Sequence, residues 1–192
     1  MLRISHIAML RKNRLPVERP VKLSVLIVVR CVRSAAAGRR QTDSSVLKFF
    51  PMEKGRMIDY EDILQRVKTC YRVRVRRYRS NMTGCAWRVH YSDGRTINWI
   101  ECPRVRSPLS LAIFLHEVGH HVIGFDRYPL SCEEELHAWR WAIRTMRQIG
   151  VEPDARTLRR YEQSMQYAVQ KATRRGQRIL PQELCAFHSK AA

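Results

Sequence analysis

His116, Glu117 and His120 are the residues of this chain whose types and spacing could do chemistry. They lie in the run His116-Glu117-Val118-Gly119-His120, which spells H-E-x-x-H. A helix turns about 100° per residue, so His116 and His120 project from one face a single turn apart, where they can share one tetrahedral metal ion. Glu117 lies beside that face, in the position of a general base acting on a water that the metal polarises. The surrounding run, Ser110 to Ile123, is apolar at Leu111, Phe114, Leu115, Val118 and Val122, the stripe of a core-facing helix. Two histidines and a glutamate on such a helix would, without a metal, need partners in the core.

A catalytic zinc needs a third protein ligand. After His120 come His121, Val122, Ile123 and Gly124, with no histidine where the longer form of the motif wants one, and Gly124 ends the helix. A loop, Phe125 to Leu130, leads into Ser131-Cys132-Glu133-Glu134-Glu135-Leu136-His137-Ala138-Trp139. Ser131 and Glu134 have the spacing of a capping box, which gives Glu134 a structural task. Glu135 instead heads an apolar stripe of Ala138, Trp139, Ala142, Ile143, Met146 and Ile149, and so points into the core. A carboxylate there is costly unless paired or metal-bound, which makes Glu135 the expected third ligand and Glu134 the runner-up. His137, about 200° round the helix from Glu135, and Cys132 are weaker candidates.

The stretch Phe114-Leu115-His116-Glu117-Val118-Gly119-His120-His121, followed by Glu134-Glu135-Leu136-His137-Ala138-Trp139, resembles the zinc metallopeptidases of the ImmA/IrrE type. In these small gluzincin-like domains a later helix of the form E-x-x-A-aromatic supplies a glutamate ligand. The resemblance covers roughly residues 96–150. It implies one zinc on His116, His120 and Glu135, Glu117 as base, and a regulatory protein as substrate. The chain departs from the family pattern at His137, where an Asn is usual, and at Ile143-Arg144-Thr145-Met146-Arg147, where the helix usually ends Leu-Leu-Met-Pro. Tyr128, His121 and His137 are the candidate donors to an oxyanion near the cleft.

The elements that must position these residues can be read from periodicity. Asp59 can cap a helix carrying Ile63, Leu64 and Val67 on one face. Tyr71 to Arg76 alternates apolar with basic, and Cys85 to Tyr91 and Thr96 to Glu101 are further strands joined by a turn at Ser92-Asp93-Gly94-Arg95. Ser107 and Pro108 are N-cap and N1 of the motif helix. Pro153 opens a last helix to about Arg175, with Leu158, Tyr161, Met165, Ala168 and Ala172 on one stripe, ended by Gly176. The expected fold is α+β: a minimal zincin-like domain over residues 56–192 with a small three-stranded antiparallel sheet. Thr96 to Glu101 is expected at the sheet edge, where it would pair with an extended substrate.

Across 192 residues, 36 Lys and Arg stand against 17 Asp and Glu, for a net charge of +19. Residues 1–55 hold 12 basic and 3 acidic side chains, a net of +9, so the remaining +10 falls on residues 56–192 and the basicity is not a tail effect alone. That first stretch reads as a basic, weakly ordered extension, or as an upstream reading of a chain whose functional part opens near Met52 or Met57. Its apolar run, Val25 to Val29, is too short to span a membrane and a poor copy of a secretory signal. Six cysteines without a C-x-x-C pair point to a reducing cytoplasm rather than a disulfide-stapled domain. Arg72, Arg74, Arg76, Arg77 and Arg79 form a basic strand face flanked by Tyr71 and Tyr78, a candidate contact for a phosphate backbone. Two functions are therefore expected to compete: a zinc metallopeptidase acting on a protein or peptide, and a basic nucleic-acid-binding protein with a structural or vestigial zinc site.

Overall fold

The computed structural model describes residues 58–125 and 127–188, so the basic extension over 1–55, with Cys31, lies outside the described residues. The order is α1 (Tyr60–Tyr71), β1 (Val73–Arg79), β2 (Cys85–His90), β3 (Thr96–Pro103), α2 (Pro108–Ile123), α3 (Ser131–Gln148), α4 (Ala155–Arg174) and α5 (Gln182–His188). This is an α+β architecture of five helices and one three-stranded sheet. No described helix is long and apolar enough to cross a membrane.

Local chemistry sets the boundaries. The Asp59 carboxylate accepts from the amides of Glu61 and Asp62, capping α1, and Ile63, Leu64 and Val67 are its buried face. Arg72 closes that helix in the left-handed region at φ 51°, so Tyr71 is helical, Arg72 is a cap, and β1 begins at Val73, two residues later than its alternation suggests. Ser107 caps α2 with Pro108 at its first position, and Gly124, at φ 85°, ends it. In the hairpin the amide of Tyr91 donates to Arg95 and that of Gly94 donates to Tyr91.

The sheet corrects two expectations. It is mixed, ordered β1-β3-β2, with β3 parallel to β1 and antiparallel to β2. The span Thr96–Glu101 is therefore in the central strand and not at the edge; β1 and β2 carry the free edges. The common face of β1 and β3 covers the helices through the buried Val73, Ile100 and Cys102. On the opposite face Trp87 and Val89 lie across from Trp99 and Ile97, all half-buried, so their in-phase spacing marks the outer face.

Arg76 is the extra residue of a β-bulge between Val75 and Arg77. The bulge lets Arg76, Arg77 and Arg79 converge on Glu101, at 3.9, 3.1 and 3.0 Å, with Glu101 buried beneath them. Arg76 also lies 5.7 Å over the Trp87 ring. Three of the five arginines of the basic face thus neutralise an internal carboxylate, while Arg74 stays exposed.

α2 is buried on every side from Ser110 to His121, so it is the central helix rather than one with a single apolar stripe. α3 crosses it so closely that a Cβ on Gly119 would come 2.9 Å from the Ala138 carbonyl oxygen and 3.2 Å from its Cα. α4 packs on α3 through the buried Thr157, Met165, Ala168, Val169 and Ala172. Its cap is Asp154, which accepts from Thr157, with Pro153 just outside, and Leu158 is exposed rather than part of the stripe. The short α5, which the sequence pattern does not announce, returns Leu184 and Phe187 to the core.

Alanine normally favours a helix interior over glycine by about 1 kcal/mol. Gly119→Ala should nevertheless destabilise the protein by about 1–3 kcal/mol in urea unfolding, because the new methyl meets backbone that cannot turn aside. Unchanged or higher stability would show that the two helices can separate freely.

Candidate metal centre

The Gly119 crossing lays the start of α3 over the histidine face of α2. His116 Nε2 and His120 Nε2 are 3.2 Å apart. Glu135 brings Oε2 to 3.3 Å from His116 Nε2 and Oε1 to 3.8 Å from His120 Nε2. His116, His120 and Glu135 are all buried, and one ligand atom from each lies within 4.8 Å of the others, so the group could hold a metal ion. Cys132 and His137 lie outside it.

Glu134 has a different task from the one its spacing suggests. The reach-back of the α3 capping box comes from Glu133, which accepts from the Leu130 amide at 3.3 Å, since the helix starts at Ser131 and not after it. Glu134 is buried and accepts from His120 Nδ1 at 2.9 Å. A carboxylate can only accept, so His120 Nδ1 carries a proton, and Nε2 is the nitrogen that a metal ion would take. Glu134 thus orients a ligand, and Glu135 is the carboxylate of the group.

His116 has no such support: Nδ1 is buried without a hydrogen-bond partner. Its ring is held by stacking on Trp139, 4.5 Å between centroids, and Trp139 in turn contacts Tyr161 of α4 at 6.0 Å. Phe125 packs against the rings of His120 and His121, beneath the Arg88 guanidinium at 5.6 Å.

Burial and neighbouring charge compete in the electrostatics. Desolvation pushes the Glu117 carboxyl up to about 8, with a charge on His120 pulling down, Glu135 pushing up, and Arg79 and Arg160 pulling down. Desolvation also works against charge on His120, but Glu134, Glu135 and Glu117 together raise it to about 9. His116 is lowered, burial outweighing the pull of Glu135. The Glu135 carboxyl opposes its own burial through His116 and His120, which hold it below the ordinary value. Three carboxylates and two imidazoles in one buried cluster are the arrangement a divalent cation would satisfy.

Glu117 faces β2. A Cβ on Gly84, just before that strand, would fall onto the Glu117 carboxylate, so only glycine leaves this acid its place. The buried Cys102 thiol, pushed up to about 12 by desolvation and by Glu117, is a neutral wall of the same pocket.

The three expected oxyanion donors are placed otherwise engaged. His121 is neutral, burial lowering it to about 4, and its Nε2–H donates to the Trp99 carbonyl at 3.1 Å; its Nδ1 is buried and unpartnered. Tyr128 and His137 stack on each other at 4.2 Å, about 200° round α3 from Glu135, with Arg127 5.9 Å over the Tyr128 ring. Sequence reasoning missed Arg160 of α4, whose charge acts on both Glu117 and His116. The available signal was its place in the row Arg160, Ser164, Ala168, Ala172, spaced by four, where an arginine heads small core-facing residues.

Comparison of the chain with protein-family models, curated proteins and solved structures finds no match.

Metal titration should separate the roles of the two glutamates. Glu135→Ala should abolish binding of one divalent ion per chain, whereas Glu134→Ala should keep the stoichiometry and weaken affinity by about 10–100-fold. Equal losses in both variants would contradict the division of labour read from the His120 hydrogen bond.

Proposed function

We propose that this protein is a zinc-dependent metallopeptidase that hydrolyses peptide bonds in a protein substrate. The observation that carries the reading is the convergence of His116 Nε2, His120 Nε2 and Glu135 with Glu117 beside them. In a tetrahedral zinc site with Zn–N of 2.0–2.1 Å, ligand atoms are about 3.4 Å apart. The 3.2 and 3.3 Å separations here fit that spacing, and two imidazoles with a carboxylate are a donor set zinc accepts while keeping a position open. The resemblance to the ImmA/IrrE type, carried by the same residues, favours a gluzincin-like enzyme and a zincin-like domain.

A bound zinc would supply Lewis acidity, lowering the pKa of a water towards about 7 and polarising the scissile carbonyl. The chain does the rest. Glu117, in a site dry enough to raise its carboxyl, takes the proton of the attacking water and delivers it to the leaving amine nitrogen as the C–N bond breaks. Glu134 keeps the His120 proton on Nδ1, Trp139 fixes the His116 ring, and Gly84 leaves Glu117 room to move. The edge of β2, which begins one residue after Gly84 and so beside Glu117, replaces β3 as the strand on which an extended substrate backbone would be laid. Such main-chain pairing tolerates many sequences, as a peptidase of unfolded or regulatory segments requires.

The nucleic-acid reading keeps the exposed Arg74, but Glu101 gives Arg76, Arg77 and Arg79 a structural reason to be basic that needs no partner.

The test is hydrolysis of a denatured protein such as casein by zinc-loaded full-length chain. Glu117→Gln should retain one zinc and lose about 10²–10⁴-fold in kcat. Gly84→Ala should also retain zinc, and lose activity because its methyl displaces the Glu117 carboxylate. A wild-type protein that binds no zinc, or a Glu117→Gln variant as active as wild type, would refute the proposal.

A further inference from the structure

We propose that Arg160 is a catalytic residue of this centre, donating a hydrogen bond to the substrate carbonyl oxygen as that oxygen becomes an oxyanion. The inference rests on the peptidase reading and extends it to a helix outside residues 96–150, where the family resemblance lies.

Placement comes first. Tyr161, the next residue, packs on Trp139, and Trp139 stacks on His116, so α4 passes the metal group at the level of Arg160. The row that Arg160 heads continues through Ala168 and Ala172, which are buried against the core. Its side chain is half-buried, and its Nε is buried with no hydrogen-bond partner among the described residues.

An unpaired, desolvated guanidinium nitrogen is costly, and this chain shows how it settles a guanidinium when only structure is at stake: three arginines share Glu101. Arg160 has no such acid. The carboxylate whose charge acts on it is Glu117, and the two form neither an ion pair nor a hydrogen bond. The proton acceptor of the reaction and the cation whose charge it feels are thus not joined to each other. A scissile peptide bound between them would meet Glu117 on the side of the attacking water and Arg160 at its carbonyl oxygen.

The chemistry balances without a further reagent. The water oxygen bonds to the carbonyl carbon while its proton passes to Glu117, and the π electrons of the C=O move to oxygen, where Arg160 donates. Collapse restores C=O, breaks C–N, and returns the Glu117 proton to the amine. A planar guanidinium that stays charged throughout suits that oxygen, because in a dry site a pre-placed cation needs no reorganisation. Tyr128, His121 and His137, the donors expected from sequence, are occupied elsewhere.

Full-length protein loaded with cobalt(II) allows a test by binding as well as turnover. The probes are a phosphinic pseudopeptide, whose anionic tetrahedral centre copies the oxyanion, and β-mercaptoethanol, which ligates the metal without one. Arg160→Met should keep one metal per chain and bind the phosphinate about 10²–10³-fold more weakly, with the thiol affinity unchanged and the loss in hydrolysis falling on kcat rather than KM. Arg160→Lys should recover only part, remaining about tenfold weaker than wild type, since an ammonium lacks the fork and the Nε donor. If Arg160→Met does not fold, the lysine variant decides by the same criterion. A metal-bearing variant that binds phosphinate as wild type does overturns the role of Arg160 while leaving the peptidase reading intact. A wild-type protein that takes metal but binds neither probe and cleaves no peptide overturns both.

Discussion

The close approach of α2 and α3 at Gly119 and Ala138 is the constraint on which the rest of the structure depends. A residue without a side chain in the middle of a buried helix gives up helix propensity, and here that loss lets two backbones come nearer than any Cβ would permit. The reward is positional. With the crossing fixed one residue before His120, the first turns of α3 fall across the imidazole face, so Glu134 and Glu135 reach two different nitrogens of the same histidine pair. Separating the helices by a methyl's width would move both carboxylates at once.

That crossing concentrates charge in a place that ordinarily excludes it. Glu117, Glu134, Glu135, His116 and His120 are all buried, and α2 around them is apolar on every side. Loss of water acts on Glu117, Glu135, His116 and His120 alike: it prevails at Glu117 and His116, while neighbouring charges and hydrogen bonds outweigh it at His120 and Glu135. Such a cluster is poor material for stability, because desolvating several ionisable groups is seldom offset by their mutual attraction. It is intelligible as the setting of a cation and of the proton transfers proposed around it. The support is uneven: Glu134 fixes His120 through a hydrogen bond, while His116 relies on the Trp139 ring and has an orphaned Nδ1.

The sheet serves the site from the side. Its central strand turns the Trp99 carbonyl towards His121, tying β3 to α2, and β2 brings Gly84 against Glu117. The charge on β1 belongs mainly to the sheet itself. A bulge at Arg76 allows Arg76, Arg77 and Arg79 to surround one buried acid, so a run of alternating arginines that reads as an electrostatic footprint is in large part an internal ion cluster.

By itself the sequence determined the pieces whose signals are local. H-E-x-x-H placed His116 and His120 on one shared face, because i, i+4 spacing on a helix needs no tertiary information. The apolar stripe that Glu135 heads marked it as inward, and Asp59, Ser107, Pro108 and Gly124 marked where helices begin and end, since capping is settled within a few residues. Tertiary structure decided what distant parts of the chain settle together. Strand order was one such matter: hairpin chemistry fixes the β2–β3 pairing but says nothing of where β1 docks, and in the fold β1 lies parallel to β3 with Val73 turned into the core. The task of Glu134 was another, because a one-residue shift in the start of α3 passed the capping role to Glu133 and freed Glu134 for His120. Gly84 and Arg160 belong to the same class. Their importance lies in what they approach across the fold, Glu117 in both cases; the row that Arg160 heads marks its inward side of α4, but no spacing along the chain tells that it acts on Glu117.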